Sequence, residues 1–196
     1  MFSYEARDHN LRARGPLTMS GEPTPTVRQI FDEHARYIWR TLRHLGVPDA
    51  DVPDVCQEVF ITVHRRLSTF EGRSTLRTWL YGICIRVASE YRRRPYVRNE
   101  RPVSEPAPDA EAERDPMPDA ALASRAAVLR LLGALDEDKR AVVVLYEIEG
   151  FSMKEVADIV GCPVQTAYSR LHAGRALMQS ALSAETETEK ETKSEP

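Results

Sequence analysis

The sequence predicts an all-α protein made of two small helical domains joined by a flexible linker. Three observations carry that reading. Apolar residues recur at steps of three and four through residues 27–91 and again through 122–171. No run alternates with a partner of the same period, so a sheet has nothing to pair. Between the two periodic stretches, residues 96–118 are rich in proline and acids and almost free of large apolar side chains, so they cannot build a core.

The elements follow in order. Residues 1–25 are polar and carry Gly15, Pro16, Pro23 and Pro25, which predicts a disordered extension; Met19 offers a second start position. Val27, Ile30, Phe31, His34, Ile38, Leu42 and Leu45 form one stripe, ended by Gly46 and Pro48. Val52, Val55, Cys56, Val59, Phe60, Val63 and Leu67 form a second, with Asp51 placed to cap it and Pro53 tolerated in its first turn. Thr69 to Ser74 breaks the pattern at Gly72. A third helix then starts near Thr75 and turns Leu76, Trp79, Leu80, Ile83, Val87 and Tyr91 inward, with Pro95 closing it.

After the linker, Leu122, Ala126, Leu129, Leu132 and Leu135 make another stripe, and Asp136 is placed to cap the helix that follows. That helix holds AVVVLYEI, a β-branched run that propensity alone assigns to a strand; helical patterns on both sides and the lack of a partner strand favour a helix. Ser152 and Glu155 are spaced as a capping box, Gly161 permits a sharp corner, and Pro163 is expected in the first turn of the last helix. The acidic tail 183–196 is expected to be disordered.

Composition narrows the function. The net charge is −3, which argues against nucleic acid until its distribution is read. Arg65, Arg66, Arg73, Arg77, Arg86, Arg92, Arg93 and Arg94 face only Glu71 and Glu90 in their stretch, while the acids collect in the linker and the tail. A basic middle with acidic spacers suits a DNA-contacting protein. No apolar run is long enough to span a bilayer and the N-terminus lacks a secretory pattern, so a cytoplasmic location is expected. The three cysteines, Cys56, Cys84 and Cys162, form no CxxC pair, and Cys56 and Cys84 fall on inward stripes as small hydrophobes. His9, His34, His44, His64 and His172 show no ligand spacing, so no metal or cofactor is expected. Nothing supplies a phosphate loop, a nucleophile elbow or a carboxylate pair, so no catalytic residue is expected.

Two constellations carry chemistry. The capping box, the small Ala157 and Gly161, and the helix after Pro163 make a helix-turn-helix. Cys162, Ala167 and Leu171 anchor that last helix, which leaves Gln165, Thr166, Ser169, Arg170, His172 and Arg175 to read groove edges and hold phosphates. A solvated bundle helix is the plainer alternative. The second constellation, residues 69–94, sets Phe70 beside arginines, the combination that stacks an unpaired base and tracks a backbone. Its plainer alternative is a hydrophobic staple with a solvated arginine end.

DVPDVCQEVFITVHRRLSTFEGRSTLRTWLYGI (51–83) resembles region 2 of a bacterial sigma factor, and the final helix pair resembles region 4. The two-domain layout with a linker in place of region 3 is similar to the extracytoplasmic-function branch. The resemblance implies region 2 over 26–95, for core polymerase and the −10 element, and region 4 over 119–182, for the −35 element. Asp54, Gln57 and Glu58, with Phe60 assigned to the core, match a D-x-x-Q-E-x-F segment that docks on the β′ clamp helices; the β flap is a second implied contact. Phe70, Glu71, Gly72, Arg73, Ser74 and Thr75 match the loop that captures a base flipped from the −10 element. Arg77 and Arg86 adjoin it, Arg86 standing where the family often has asparagine, and Arg92, Arg93 and Arg94 are expected on phosphates. Gln165, Thr166, Ser169, Arg170, His172 and Arg175 lie on the −35-reading helix. Promoter DNA, core RNA polymerase and an anti-sigma factor are the implied partners, and the polymerase supplies the catalysis. A helix-turn-helix regulator that binds an operator without polymerase, and an enzyme with an appended DNA-binding domain, are the competing readings.

Overall fold

The computed structural model describes residues 25–94 and 119–193, and among them every regular element is helical. The expected extension before Pro25 and the expected linker over 96–118 lie outside the described residues.

Helix α1 spans Val27–His44. Thr26 starts it with a reciprocal cap not expected from the stripe: its hydroxyl accepts from Gln29 N (3.3 Å) while its amide donates to the Gln29 side chain (2.8 Å). Helix α2 spans Val52–Arg66. Asp51 does not cap it, contrary to expectation. Its own backbone is already helical (φ −104°, ψ −9°), and its carboxylate instead accepts from the Tyr91 hydroxyl of the third helix. A short 3-10 turn over Leu67–Thr69 leads through Phe70 and Gly72 to α3, Leu76–Arg93, where Thr75 Oγ1 accepts from Thr78 N at 3.1 Å.

The second half holds α4 (Asp119–Gly133) and α5 (Glu137–Val143), the latter capped by Asp136 as expected. The β-branched run is helical and widens into a π turn over Val144–Ile148. Helix α6 (Met153–Val160) carries the expected capping box and ends at Gly161, whose φ of 71° and ψ of 42° turn the chain sharply into α7 (Val164–Lys193). Pro163 sits one residue ahead of α7 rather than inside its first turn, and its carbonyl accepts from Ala167 N at 3.1 Å. The expected disorder from Ser183 is replaced by a continuation of α7 to Lys193. Ala, Glu and Lys are strong helix formers, and a helix already nucleated extends at low cost.

Two cores form. Ile30, Ile38, Leu42, Val55, Val59, Leu80, Ile83 and Val87 fill the first, with both Cys56 and Cys84 buried there as expected. Leu132, Leu135, Val142, Leu145, Met153, Val156 and Leu171 fill the second. Gly174 lets α7 cross closely over α5, since a Cβ there would lie 2.8 Å from Val143 Cγ2. The cores do not stand apart. Tyr81 of α3 is fully buried in the second core, where its ring meets Phe151 edge-on at 4.9 Å and Tyr37 of α1 at 4.6 Å. Periodicity predicts α3 as a one-sided helix; Tyr81, Gly82 and Ala88 are buried too, because α3 is covered on a second side by α6. One inward assignment also changes: Phe31 is 51% exposed, against Phe60, while Trp79 is half-buried, packed on the first core and against Phe70.

Candidate nucleic-acid interface

The loop between α2 and α3 presents its chemistry outward from a rigid base. Phe70 is extended (φ −74°, ψ 103°), half-buried, and its ring centroid lies 5.2 Å from that of Trp79 at a tilt of 47°. Trp79 itself packs on the first core, so the half-buried Phe70 ring rests on a supported neighbour. Glu71, Arg73, Ser74 and Thr75 are exposed. Arg73 pairs with Glu71 at 2.5 Å, Ser74 donates to the Thr75 carbonyl, and Gly72 turns the chain with φ 69°. Thr75 is engaged as the cap of α3.

The arginines of α3 divide. Arg86 is exposed and its Nε donates to the Gly82 carbonyl one turn back, at 3.1 Å. Arg93 is exposed. Arg94 pairs with Glu58 of α2 at 2.6 Å and lies over the Tyr91 ring, so a cation expected on phosphate and a carboxylate expected on polymerase are joined to each other. Asp54 and Gln57 stay exposed on the same face of α2, and Phe60 is half-buried against the first core, as assigned.

Arg77 is drawn to the second half. Its Nη2 donates to the Glu149 carbonyl at 2.5 Å, and its guanidinium lies 4.5 Å from the Phe151 centroid. Arg92 turns the same way, donating to the Leu45 carbonyl and pairing with Glu137 at 3.2 Å. Arg140 of α5 closes the other end of this seam, donating to the carbonyls of Leu132, Gly133 and Leu135 at and just past the end of α4 and to that of Leu45 just past α1. Glu149, Phe151 and Arg140 were not expected to matter. A lone acid beside a glycine and a lone arginine at a helix start carry no sequence signal.

The corner of α6 and α7 is built as expected, with Ala157, Ala167 and Leu171 buried and Cys162 half-buried against the second core. Gln165, Ser169, His172 and Arg175 are exposed and Thr166 and Arg170 half-exposed. Ser169 Oγ donates to the Gln165 carbonyl at 3.1 Å. Arg170 pairs with Asp138, and Arg175 Nε donates to Glu147 at 2.6 Å. Each arginine is thus preset along the helix by one carboxylate of its own half, and each pair is solvent-exposed, so it exchanges readily for a phosphate.

Comparison with known proteins agrees with this geometry. Residues 30–95 match the family model "Sigma-70 region 2" and residues 125–178 match "Sigma-70, region 4". The chain is similar to the ECF RNA polymerase sigma-E factor of Escherichia coli strain K12, 37% identical over 141 residues, covering 66% of this chain and 72% of that protein. It is similar as well to the sigma-E factor of Haemophilus influenzae, 33% identical over 144 residues, covering 67% and 75%. Among solved structures, CnrH in complex with the cytosolic domain of CnrY superposes with a TM-score of 0.60 at 28% identity, covering 81% of this chain and 88% of that one. RpoE of Bartonella quintana, solved with the anti-sigma factor NepR, shares the fold at a TM-score of 0.58 and 22% identity, covering 79% and 98%. With regions 2 and 4 in order on one chain, the protein belongs to the extracytoplasmic-function sigma factors of bacterial RNA polymerase.

Proposed function

We propose that this sigma factor works in the cytoplasm as a dissociable, non-catalytic specificity subunit that reads the −10 element with the Phe70 loop and the −35 element with α7. The single observation that carries the reading is the placement of these two surfaces. The Phe70 loop and the outward face of α7 around Gln165 and Arg175 are both solvent-exposed, and each is based on a different core. In this reading residues 26–95 hold polymerase and the −10 element, 119–182 hold the −35 element, and 96–118 tether them. Two weak contacts on one chain then gain from effective concentration what neither reaches alone. Asp54 and Gln57, exposed on α2, are the polymerase-facing pair, and Glu58 joins them when Arg94 turns to a phosphate.

An anti-sigma factor fits a specific place. A groove of about 730 Å³ runs between α1, α2 and α4, lined by Phe31, Trp39, Phe60 and Val128 together with Arg36 and Arg125. Such a groove suits a helix with an apolar stripe and acidic flanks.

The test is transcription in vitro with core polymerase over a randomised promoter library. Transcripts that start at one pair of spaced elements, and only when this chain is added, support the reading. A chain that binds a palindromic operator tightly without polymerase and never directs initiation would replace it with an ordinary regulator.

A further inference from the structure

The seam between the halves buries a carboxylate that its surroundings do not satisfy. Glu149 lies in the loop before the Ser152 cap, and its side chain is 2% exposed. Oε2 stands 3.5 Å from Arg77 Nη2 and 3.7 Å from Arg40 Nη2, at or beyond the edge of hydrogen bonding, and Oε1 has no hydrogen-bond partner. The same Arg77 Nη2 donates to the Glu149 backbone carbonyl at 2.5 Å. Both arginine side chains remain about half exposed, at 47% and 55%, so they keep water that the carboxylate has lost. Burial is the leading reason that the Glu149 carboxyl titrates above its ordinary range. The Tyr81 hydroxyl at the same seam is also buried without a partner. A buried ion whose partners do not replace its hydration destabilises the state that buries it.

We infer that Glu149 is an opening spring: an under-paired carboxylate that biases the packed halves toward separation, as promoter engagement at two elements requires. Around it the seam is favourable, through the rings of Tyr37, Tyr81 and Phe151 and the Arg140 and Arg92 contacts at the far end. Opposed by Glu149, the closed form is one of two states of similar energy rather than a trap. Separation returns the carboxylate to water and frees Arg77 from Phe151. The opening equilibrium rests on this geometry alone; its consequence for transcription rests on the function proposed above.

The experiment places fluorophores at the exposed Ala50 and Gln179 of the full chain through unnatural amino acids and records closed and open populations by single-molecule energy transfer. Glu149→Gln and Glu149→Met, checked for unchanged helicity by circular dichroism, are expected to raise the closed-to-open ratio about fivefold or more. Arg40→Ala, which strips the carboxylate of one cation, is expected to lower it by a similar factor. With core polymerase, the two neutral variants are expected to need correspondingly more protein for half-maximal transcription. A ratio that is unchanged or lower in both neutral variants, or a wild-type chain that never opens, overturns the inference; a raised ratio with unchanged transcription overturns its consequence for initiation. Failure of the wild-type chain to direct any transcription counts against the sigma-factor mechanism instead, and the population ratio then decides the spring.

Discussion

The guanidinium of Arg140 occupies the place where a side chain at residue 46 would stand: a Cβ on Gly46 would lie 1.8 Å from Arg140 Nη1. Gly46 also has φ +87°, so it answers a backbone need and a packing need together. Arg140 uses the gap to reach the Leu45 carbonyl at the end of α1 while closing the end of α4. Gly46→Ala is therefore expected to cost about 2 kcal/mol or more, from strained φ and a displaced guanidinium. Arg140→Ala, which abandons several half-buried carbonyls, is expected to cost a similar amount. Urea unfolding read by far-UV circular dichroism checks both; a midpoint equal to wild type for Gly46→Ala would show that Arg140 has an alternative route.

Phe70 rests on Trp79 at 5.2 Å and stays partly exposed, which suits a stacking platform better than a core residue. Phe70→Ala is expected to impair strand opening about tenfold or more while duplex binding by holoenzyme persists, since base–aromatic stacking is worth about 1–3 kcal/mol per base. Permanganate reactivity of unpaired thymines measures opening, and filter binding measures the duplex step. Equal loss in both would assign Phe70 to stability instead.

Arg170 is held by Asp138 of its own half. Arg170→Ala is expected to weaken recognition of the upstream element by about 1–3 kcal/mol. Asp138→Asn, which releases the arginine without removing it, is expected to leave that recognition intact or stronger. Competition between promoters with and without the upstream element separates the two. If Asp138→Asn weakens recognition as much as Arg170→Ala, the pair itself is what the element requires.

His44 is half-buried beside Arg40, Arg43 and Arg125, and burial first, then these three cations, push its imidazole down to about 4. Its folded value lies below the ordinary 6.5, so the unfolded chain binds the extra proton between those limits. Stability from this group is present above about pH 6.5 and is lost as pH falls toward 4. A loss on the order of 1 kcal/mol is expected on going from pH 7 to pH 5. His44→Gln is expected to flatten that slope, read as the difference in melting temperature at the two pH values. An unchanged slope in the variant would place the proton uptake elsewhere.

What local chemistry controls was legible from the residues in order. The stripe of α1 apart from Phe31, the Asp136 cap, the Ser152–Glu155 box and the left-handed Gly161 each depend on neighbours within four positions, and each stands where the pattern put it. So did the buried Ala167 and Leu171 and the exposed Gln165 and Arg175 that follow from them. The second covered side of α3 was not legible. Tyr81 has no periodic signature that separates a surface tyrosine from one pressed against Phe151, because the partner arrives from seventy residues away. Glu149 and Arg77 show the same limit, since nothing in EIEGFS announces that its acid meets a guanidinium from α3. Periodicity and capping report the field within one turn of helix. Which arginine faces DNA, and which is spent on a seam, is set by long-range packing and by how much water each charge keeps.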